Sequence, residues 1–470
     1  MYDFDKPINR QGTHCVKWDM APHSAPEGAT LASSAATNTI EAPSGAVGGA
    51  TTLNSKLSTL NSQMIPLWVA DMDFEAAPAI RKALQKRVEH GVFGYAIVQD
   101  SYYDAVINWY ERRHHWHIER EWIQYTTGVV PAISAVIKAL TMPGERVLIM
   151  TPVYNCFFSS IRNNGCEVLE SKLVPVNCAP TQEAASPTLT YTVDWDDFER
   201  KCADEKCTVF LLCNPHNPAG RVWTREELQR MNDICQRHHV RIISDEIHCE
   251  LTMPGYEFVP MGRLAPQTPT PNPSPREGSL NTLSHQDIAT EAIQTPLPWG
   301  GGGGGPSPII CCSPSKSFNT AGLQMANIIC ADAETRRRID RAININEICD
   351  VNPFAPLAVE AAYNESEDWI DELNQYLWGN YQALLAFFAE QLPQLKVFKL
   401  EGTYLVWVDI TALRVSADEI EEKLLREARV WVNSGTMYGT DGYIRINIAT
   451  QRARLMEGLK RMARVLAIAP

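Results

Sequence analysis

Ser313 to Asn319 reads Ser-Pro-Ser-Lys-Ser-Phe-Asn, and its lysine, Lys316, is the candidate for covalent chemistry. A side-chain amine adds to carbonyl carbons and, when free and desolvated, takes up protons. The apolar run Ile309 to Cys312 just before it predicts a short buried strand, so the lysine falls on a turn at the strand's end among small hydroxyl residues. By itself the heptapeptide suits a solvated surface loop better.

Three other residues fall at comparable places. Arg146 to Met150 predicts a strand, and the turn Thr-Pro-Val-Tyr-Asn-Cys-Phe puts Tyr154 just past its carboxyl end. Thr208 to Cys213 predicts another, running into Asn-Pro-His-Asn-Pro-Ala-Gly with Asn217. Val240 to Ser244 is a third, ending in Asp245 and Glu246. Each residue alone has a plain reading: a packed aromatic, a turn asparagine, a capping aspartate, a surface lysine. Four of them at the ends of four strands are what one shared pocket produces.

An anion site is legible at Gly128. The stretch that follows has Ile133, Val136, Ile137 and Leu140 at helical spacing, and the first turn of such a helix presents the unpaired N–H groups of Val129 and Val130 together with the positive end of the helix dipole. An ordinary loop-to-helix junction has the same appearance. His114, His115 and His117 close a helix expected over Ser101 to Arg113; they resemble a metal cluster, yet cations in a last helical turn are favoured by the dipole in any case.

The elements that must position these residues alternate. Between Gly128 and Glu246 the pattern runs strand, helix, strand, and Thr224 with Glu227 forms a capping box ahead of a helix whose Leu228, Met231 and Cys235 share a face. This predicts an α/β fold: a mostly parallel sheet with helices on both faces and ligands at the carboxyl ends of the strands. A helix is also expected over Pro78 to His90. After Asp332 a long helical stretch leads to Val397 to Ile410 and Tyr443 to Ile448, which alternate like strands of a smaller sheet, with Asp418 to Ala428 as helix between them. The expected organisation is an arm over residues 1–75, a large domain over 76–335 and a small α+β domain over 336–470. Two low-complexity tracts interrupt it, His23 to Gln63 and Gly262 to Pro308; both are too poor in large apolar residues to join a core and read as flexible insertions.

With 470 residues, 45% of them hydrophobic, the chain can bury a large core, and its net charge of −13 speaks against a nucleic-acid footprint. Met1 to Arg10 resembles no export or transit signal, and the longest apolar stretches are too short or too interrupted to span a bilayer, so a soluble cytoplasmic protein is expected. The 13 cysteines include no C-x-x-C pair and are scattered through expected strands and helices, as at Cys213, Cys235, Cys312 and Cys330, which suits reduced, buried thiols.

Taken together, KWD at Lys17, PLWVADMDF at Pro66, GVVPAIS at Gly128, TPVYNCF at Thr151, NPHNPAG at Asn214, SDEIHCEL at Ser244, SPSKSFNTAGLQ at Ser313 and YIRINIAT at Tyr443 resemble the fold-type I pyridoxal-phosphate enzymes of the class I/II aminotransferase superfamily. They are most similar to the MalY/PatB family of cystathionine β-lyases. The resemblance implies the PLP-dependent transferase-like fold and a pyridoxal 5'-phosphate cofactor bonded to Lys316, its phosphate on the Gly128 helix (Val129, Val130) and Ser313. It further implies Asp245 at the ring nitrogen, Asn217 and His248 near the ring oxygen, Tyr154 stacked on the ring and Arg445 on the substrate carboxylate. Tyr95, in VFGYAI, corresponds to the residue that reaches the neighbouring subunit's phosphate, which implies a homodimer with shared sites. Where many relatives carry a phosphate-binding arginine, this chain has Gln324, as the lyase branch does.

The expected activity is β-elimination from cystathionine or another cysteine S-conjugate. The competing reading is an aminotransferase using the same lysine and cofactor. A cofactor-sensing module of a transcription regulator is a third, for which the chain offers no ordered basic segment to bind DNA.

Overall fold

The computed structural model describes residues 2–20, 64–178, 188–264, 307–345 and 350–467. A seven-stranded sheet forms its centre. Its strands are β1 (Ile123–Thr126), β2 (Arg146–Thr151), β3 (Glu167–Lys172), β4 (Cys207–Cys213), β5 (Arg241–Asp245), β6 (Ile309–Cys312) and β7 (Ala326–Ile329), in the spatial order β1-β7-β6-β5-β4-β2-β3. The run from β6 through β5, β4 and β2 to β3 is parallel. Strand β7 is antiparallel to both β6 and β1, so β1 again points the same way as the parallel set.

The inner strands β2, β4, β5 and β6 read as largely apolar runs because both of their faces are covered. Side chains alternate between the faces. Val147, Ile149, Val209, Leu211, Ile309 and Cys311 pack under the helices Val129–Leu140, Asn155–Asn163 and Ala333–Asn344. Their neighbours Leu148, Met150, Phe210, Leu212, Ile310 and Cys312 face the other layer, with Trp109 and Tyr110 of the Asp100–His114 helix and Leu228, Met231 and Cys235 of the Arg225–Arg237 helix. Thr224 and Glu227 form the capping box that the sequence predicts. The Pro78–His90 helix is present with the expected bounds.

A second, antiparallel sheet is built from β8 (Lys396–Val397), β9 (Leu405–Asp409), β10 (Asn433–Ser434) and β11 (Tyr443–Asn447) in the order β8-β9-β11-β10. The single strand expected over Val397 to Ile410 is split into β8 and β9. The cause is local: Thr403 sits at φ +67, and a Cβ on Gly402 would stand 3.0 Å from the Leu251 carbonyl, so the chain turns between them. The helix between the later strands runs as α-helix over Ala417–Lys423 and widens to a π-turn over Leu424–Ala428.

The amino-terminal arm packs on the body. Phe4 is buried against Phe74 and Trp369, and Lys17, fully buried, pairs with Asp73 at 3.2 Å. Past residue 64, Ile65–Pro66 pairs in parallel with Val430–Trp431. The two low-complexity tracts lie almost wholly outside the described residues. The second starts later than its composition suggests, since Met261–Leu264 is a buried 3-10 turn. Gly262 lies so close under Trp116 that a Cβ there would stand 2.3 Å from Cζ2. All twelve described cysteines are free thiols.

Candidate active site

Tyr154, Asn217, Asp245 and Lys316 follow the carboxyl ends of β2, β4, β5 and β6, four consecutive strands of the sheet. Strand direction therefore puts all four on one edge of the sheet. The Val129–Leu140 helix starts at the same edge, two residues past β1, and no side chain caps its first turn. The N–H groups of Val129 and Val130 belong to that uncapped turn, which has no partners within the helix.

Lys316 lies on the turn after β6, half-buried, and its Nζ donates to the Ala70 carbonyl at 2.7 Å. Burial lowers its pKa from the ordinary lysine value against the opposing pull of Asp71. Asp245 is buried and forms no ion pair among the described residues. Its Oδ1 accepts from the Ile247 N–H at 3.2 Å, and burial pushes its carboxyl up to about 7. The adjacent Glu246 is also buried, and burial pushes it up to about 8; Ser244 Oγ and Met261 N donate to its Oε1 at 2.8 and 2.9 Å.

Arg445, on β11, is buried with no carboxylate partner among the described residues. Its Nη1 donates to Asn217 Oδ1 at 3.1 Å, and its Nη2 to the Trp68 carbonyl at 2.8 Å and Asn433 Oδ1 at 2.9 Å. Nε has no partner, and the guanidinium lies 4.9 Å from the centre of the Tyr438 ring. His248 is buried with Nδ1 unpartnered, and burial, helped by Lys316 and Arg445, pushes it down to about 3, so the ring is neutral. Tyr154 is half-buried, edge-on to Phe157. His216 Nε2–H donates to the Pro152 carbonyl at 2.8 Å, tying the Asn217 turn to the Tyr154 turn.

Two expected residues are placed differently from the rest. The Ser313 hydroxyl donates to the Met325 carbonyl at 2.7 Å and accepts from the Ser315 N–H at 3.1 Å, so in this structure it braces the lysine turn. Tyr95 is 96% exposed and, within its own chain, stands apart from the other candidates; Val92, Phe93 and Ile97 beside it are also exposed. The histidines disperse. His114 is buried on Glu250 at 2.7 Å, with Cys249 close by, whereas exposed His117 meets Glu111 and Glu119. Glu250 Oε1 already accepts from Trp109 Nε1 at 2.6 Å, which makes the trio a hydrogen-bonded core.

Sequence reasoning did not single out Trp68, Ala70, Tyr404, Asn433 or Tyr438, and it placed Glu246 at a strand end without giving it a role. Tyr404 is fully buried and donates to the Ala70 carbonyl at 2.9 Å, beside the lysine's own bond to it. GTYLVWVD reads as a core strand, and nothing in it points to a partner some 330 residues away, at |i−j| = 334.

The pocket thus holds a desolvated amine, a buried carboxylate without a cation, a buried guanidinium without an anion, a neutral imidazole with a free nitrogen, and an uncapped helix terminus. Those orphaned groups match a ligand with an aldehyde, a basic ring nitrogen and a phosphate, accompanied by a carboxylate. The family model described as aminotransferase class I and II matches residues 62–462, and the chain belongs to that family. Among its relatives, it is 32% identical to the cystathionine beta-lyase PatB of Bacillus subtilis, with 99% of this chain and 100% of that one aligned. It is 27% identical to protein MalY of Escherichia coli, with 98% and 97% covered. Among solved structures, a PLP-bound protein from Clostridium difficile 630 superposes with a TM-score of 0.77 at 33% identity over 99% of this chain and 100% of that one. Cystalysin from Treponema denticola, which contains pyridoxal 5'-phosphate, superposes with a TM-score of 0.76 at 29% identity over 99% of each chain. The fold is that of fold-type I PLP enzymes, and the cofactor is pyridoxal 5'-phosphate.

Proposed function

We propose that this chain is a PLP-dependent carbon-sulfur β-lyase that converts cystathionine or another cysteine S-conjugate, with one water, into a thiol, pyruvate and ammonia. The observation that carries the reading is the pairing of the anion-free guanidinium of Arg445 with the desolvated amine of Lys316 in one pocket; the cystathionine β-lyase names of its relatives favour elimination over transamination.

Lys316 would hold the cofactor's aldehyde, Asp245 its ring nitrogen, Asn217 and His248 the region of its ring oxygen, Tyr154 a ring face, and Val129 and Val130 the phosphate; Ser313 would join them only by turning its hydroxyl away from the Met325 carbonyl. When bound, the cofactor supplies an electron sink for the bond between Cα and hydrogen. The remaining work falls to side chains. Arg445 receives the substrate carboxylate through its open Nε edge and fixes which Cα bond faces the lysine. Lys316, held below the ordinary lysine range by burial, takes the Cα proton at Nζ. Asp245, whose burial pushes its carboxyl up to about 7, would give up its proton beside a cationic neighbour at the base of the site and hold that neighbour in its charged form.

The homodimer with shared sites is part of the same proposal and is supported by the exposed apolar run around Tyr95. So are the division into arm, large and small domains at residues 75 and 335, and the cytoplasmic location; among the described residues no helix is long and apolar enough to cross a membrane. The test is a product assay on dialysed enzyme with cofactor restored. Thiol and pyruvate should appear in equal amounts from cystathionine without any keto acid, and Lys316→Ala should abolish both along with borohydride-fixable cofactor. Turnover that needs a keto acid and releases no thiol identifies an aminotransferase instead.

A further inference from the structure

The Ala70 carbonyl accepts from two donors, Lys316 Nζ at 2.7 Å and the Tyr404 hydroxyl at 2.9 Å. Its flanking carbonyls are occupied as well. Asn447 Nδ2 donates to Val69 O at 2.5 Å and to Asp71 O at 2.7 Å, so the strip from Val69 to Asp71 is clamped by β11 and cannot turn its carbonyls elsewhere. Tyr404 is fully buried, edge-on to His248 with ring centres 6.1 Å apart. Burial also drives its phenol well above the ordinary range, so it stays a donor at every working pH.

A carbonyl oxygen has two lone pairs, and donation into one weakens what the other offers to a second donor. An ammonium depends on that acceptor more than a neutral amine does, because a charged donor makes the stronger hydrogen bond. We propose that Tyr404 is a positioning residue for Lys316: by occupying half of the Ala70 carbonyl it aims the lysine amine while keeping it from being held as an ammonium, so that the amine remains a base. This deepens the lyase reading and rests on Lys316 being the working lysine. The other groups facing the amine are Asp71 from the same clamped strip, Asp245 from β5, Arg445 from β11, Cys156 from the Asn155–Asn163 helix and neutral His248. Asp71, Asp245 and Cys156 favour the charged amine while Arg445 and burial disfavour it; the shared carbonyl is the one contact among these that a single hydroxyl can move.

The experiment is Tyr404→Phe, which keeps the ring against His248 and removes only the donor. In the cofactor-free chain, the pH dependence of acetic anhydride labelling at Lys316, read by peptide mapping, reports the amine directly and needs no activity. The midpoint should move to higher pH, with labelling near neutrality several-fold slower than in the unmodified protein. In the loaded enzyme Lys316 would be a free amine only once substrate has displaced it, so the acid limb of kcat should move the same way, with KM little changed. Tyr404→Met, which fills the ring's space without a donor, should shift the labelling in the same direction. An unmoved or lowered labelling midpoint in both variants overturns the proposal. Failure of the reading it rests on is seen separately, as borohydride-fixed cofactor at a lysine other than 316 or as turnover that needs a keto acid and releases no thiol.

Discussion

Arg445 Nη1 donates to Asn217 Oδ1 across 3.1 Å and 228 residues of sequence. The bond joins the small sheet to the turn after β4, and with the Trp68 carbonyl and Asn433 it fixes the guanidinium plane so that Nε is the edge left over. A planar fork held at both Nη ends leaves Nε–H as the donor from which a substrate carboxylate can accept.

Arg445→Lys should therefore keep the charge and lose the fork. Expected is a fall in kcat/KM of about 10- to 100-fold, corresponding to roughly 1.5–3 kcal/mol for a charge-assisted hydrogen bond, measured with cystathionine at saturating cofactor. A variant with unchanged kcat/KM would remove Arg445 from the substrate site.

Asp245 gives a pH prediction. Its carboxyl is raised from 3.8 to about 7 in the folded chain, so the native state holds a proton that the unfolded state has released. The stability from that proton is complete below about 3.8 and is lost as pH rises toward about 7, by a few kcal/mol at most. Cofactor-free protein should show this decline in its Tm, Asp245→Asn should remove part of it, and cofactor, by placing a cation at the carboxylate, should flatten it. Glu246, raised to about 8, contributes a decline over an overlapping and slightly higher window that Asp245→Asn leaves in place.

Gly262→Ala puts a methyl against Trp116 at a separation no packed side chain tolerates. Overpacking of this kind costs about 1–3 kcal/mol, readable as a lowered Tm. Removing most of residues 266–305, by contrast, should leave Tm within a few degrees. A large loss of soluble yield on that deletion would show that the tract contributes to the body.

Shared sites can be tested by complementation. Tyr95→Ala and Lys316→Ala chains, each inactive alone, should regain about a quarter of wild-type activity when refolded together, because half of the dimers are mixed and each mixed dimer has one intact site. No recovery, with dimer formation verified, would assign Tyr95 to the surface alone.

What the sequence made legible was whatever depends on short-range pattern. The capping box at Thr224 and Glu227, the helix after Gly128 and the strand ends bearing Tyr154, Asn217, Asp245 and Lys316 are each determined within a dozen residues. What it hid depends on chain segments meeting. Tyr404 and Trp68 are ordinary core aromatics until Ala70 and Arg445 are brought to them, and Ser313 turns out to brace its own loop through Met325. The break at Thr403 was marked in the sequence by Gly402 beside it, but the positive φ falls on the threonine, which no local pattern announces.

Lys316, Asp245, Asn217 and Tyr154 follow successive strands, and successive strands lie about 4.8 Å apart. The width of the pocket is thus ruled by the backbone ladder: three intervals, roughly 14 Å from the lysine strand to the tyrosine strand. Side-chain replacement can alter what lines that span but not its length. Changes in the number of residues between a strand end and its functional side chain act differently, since they slide one group along its own rail while the other three hold their places, and it is there that a protein of this build can be refitted to a longer or shorter substrate.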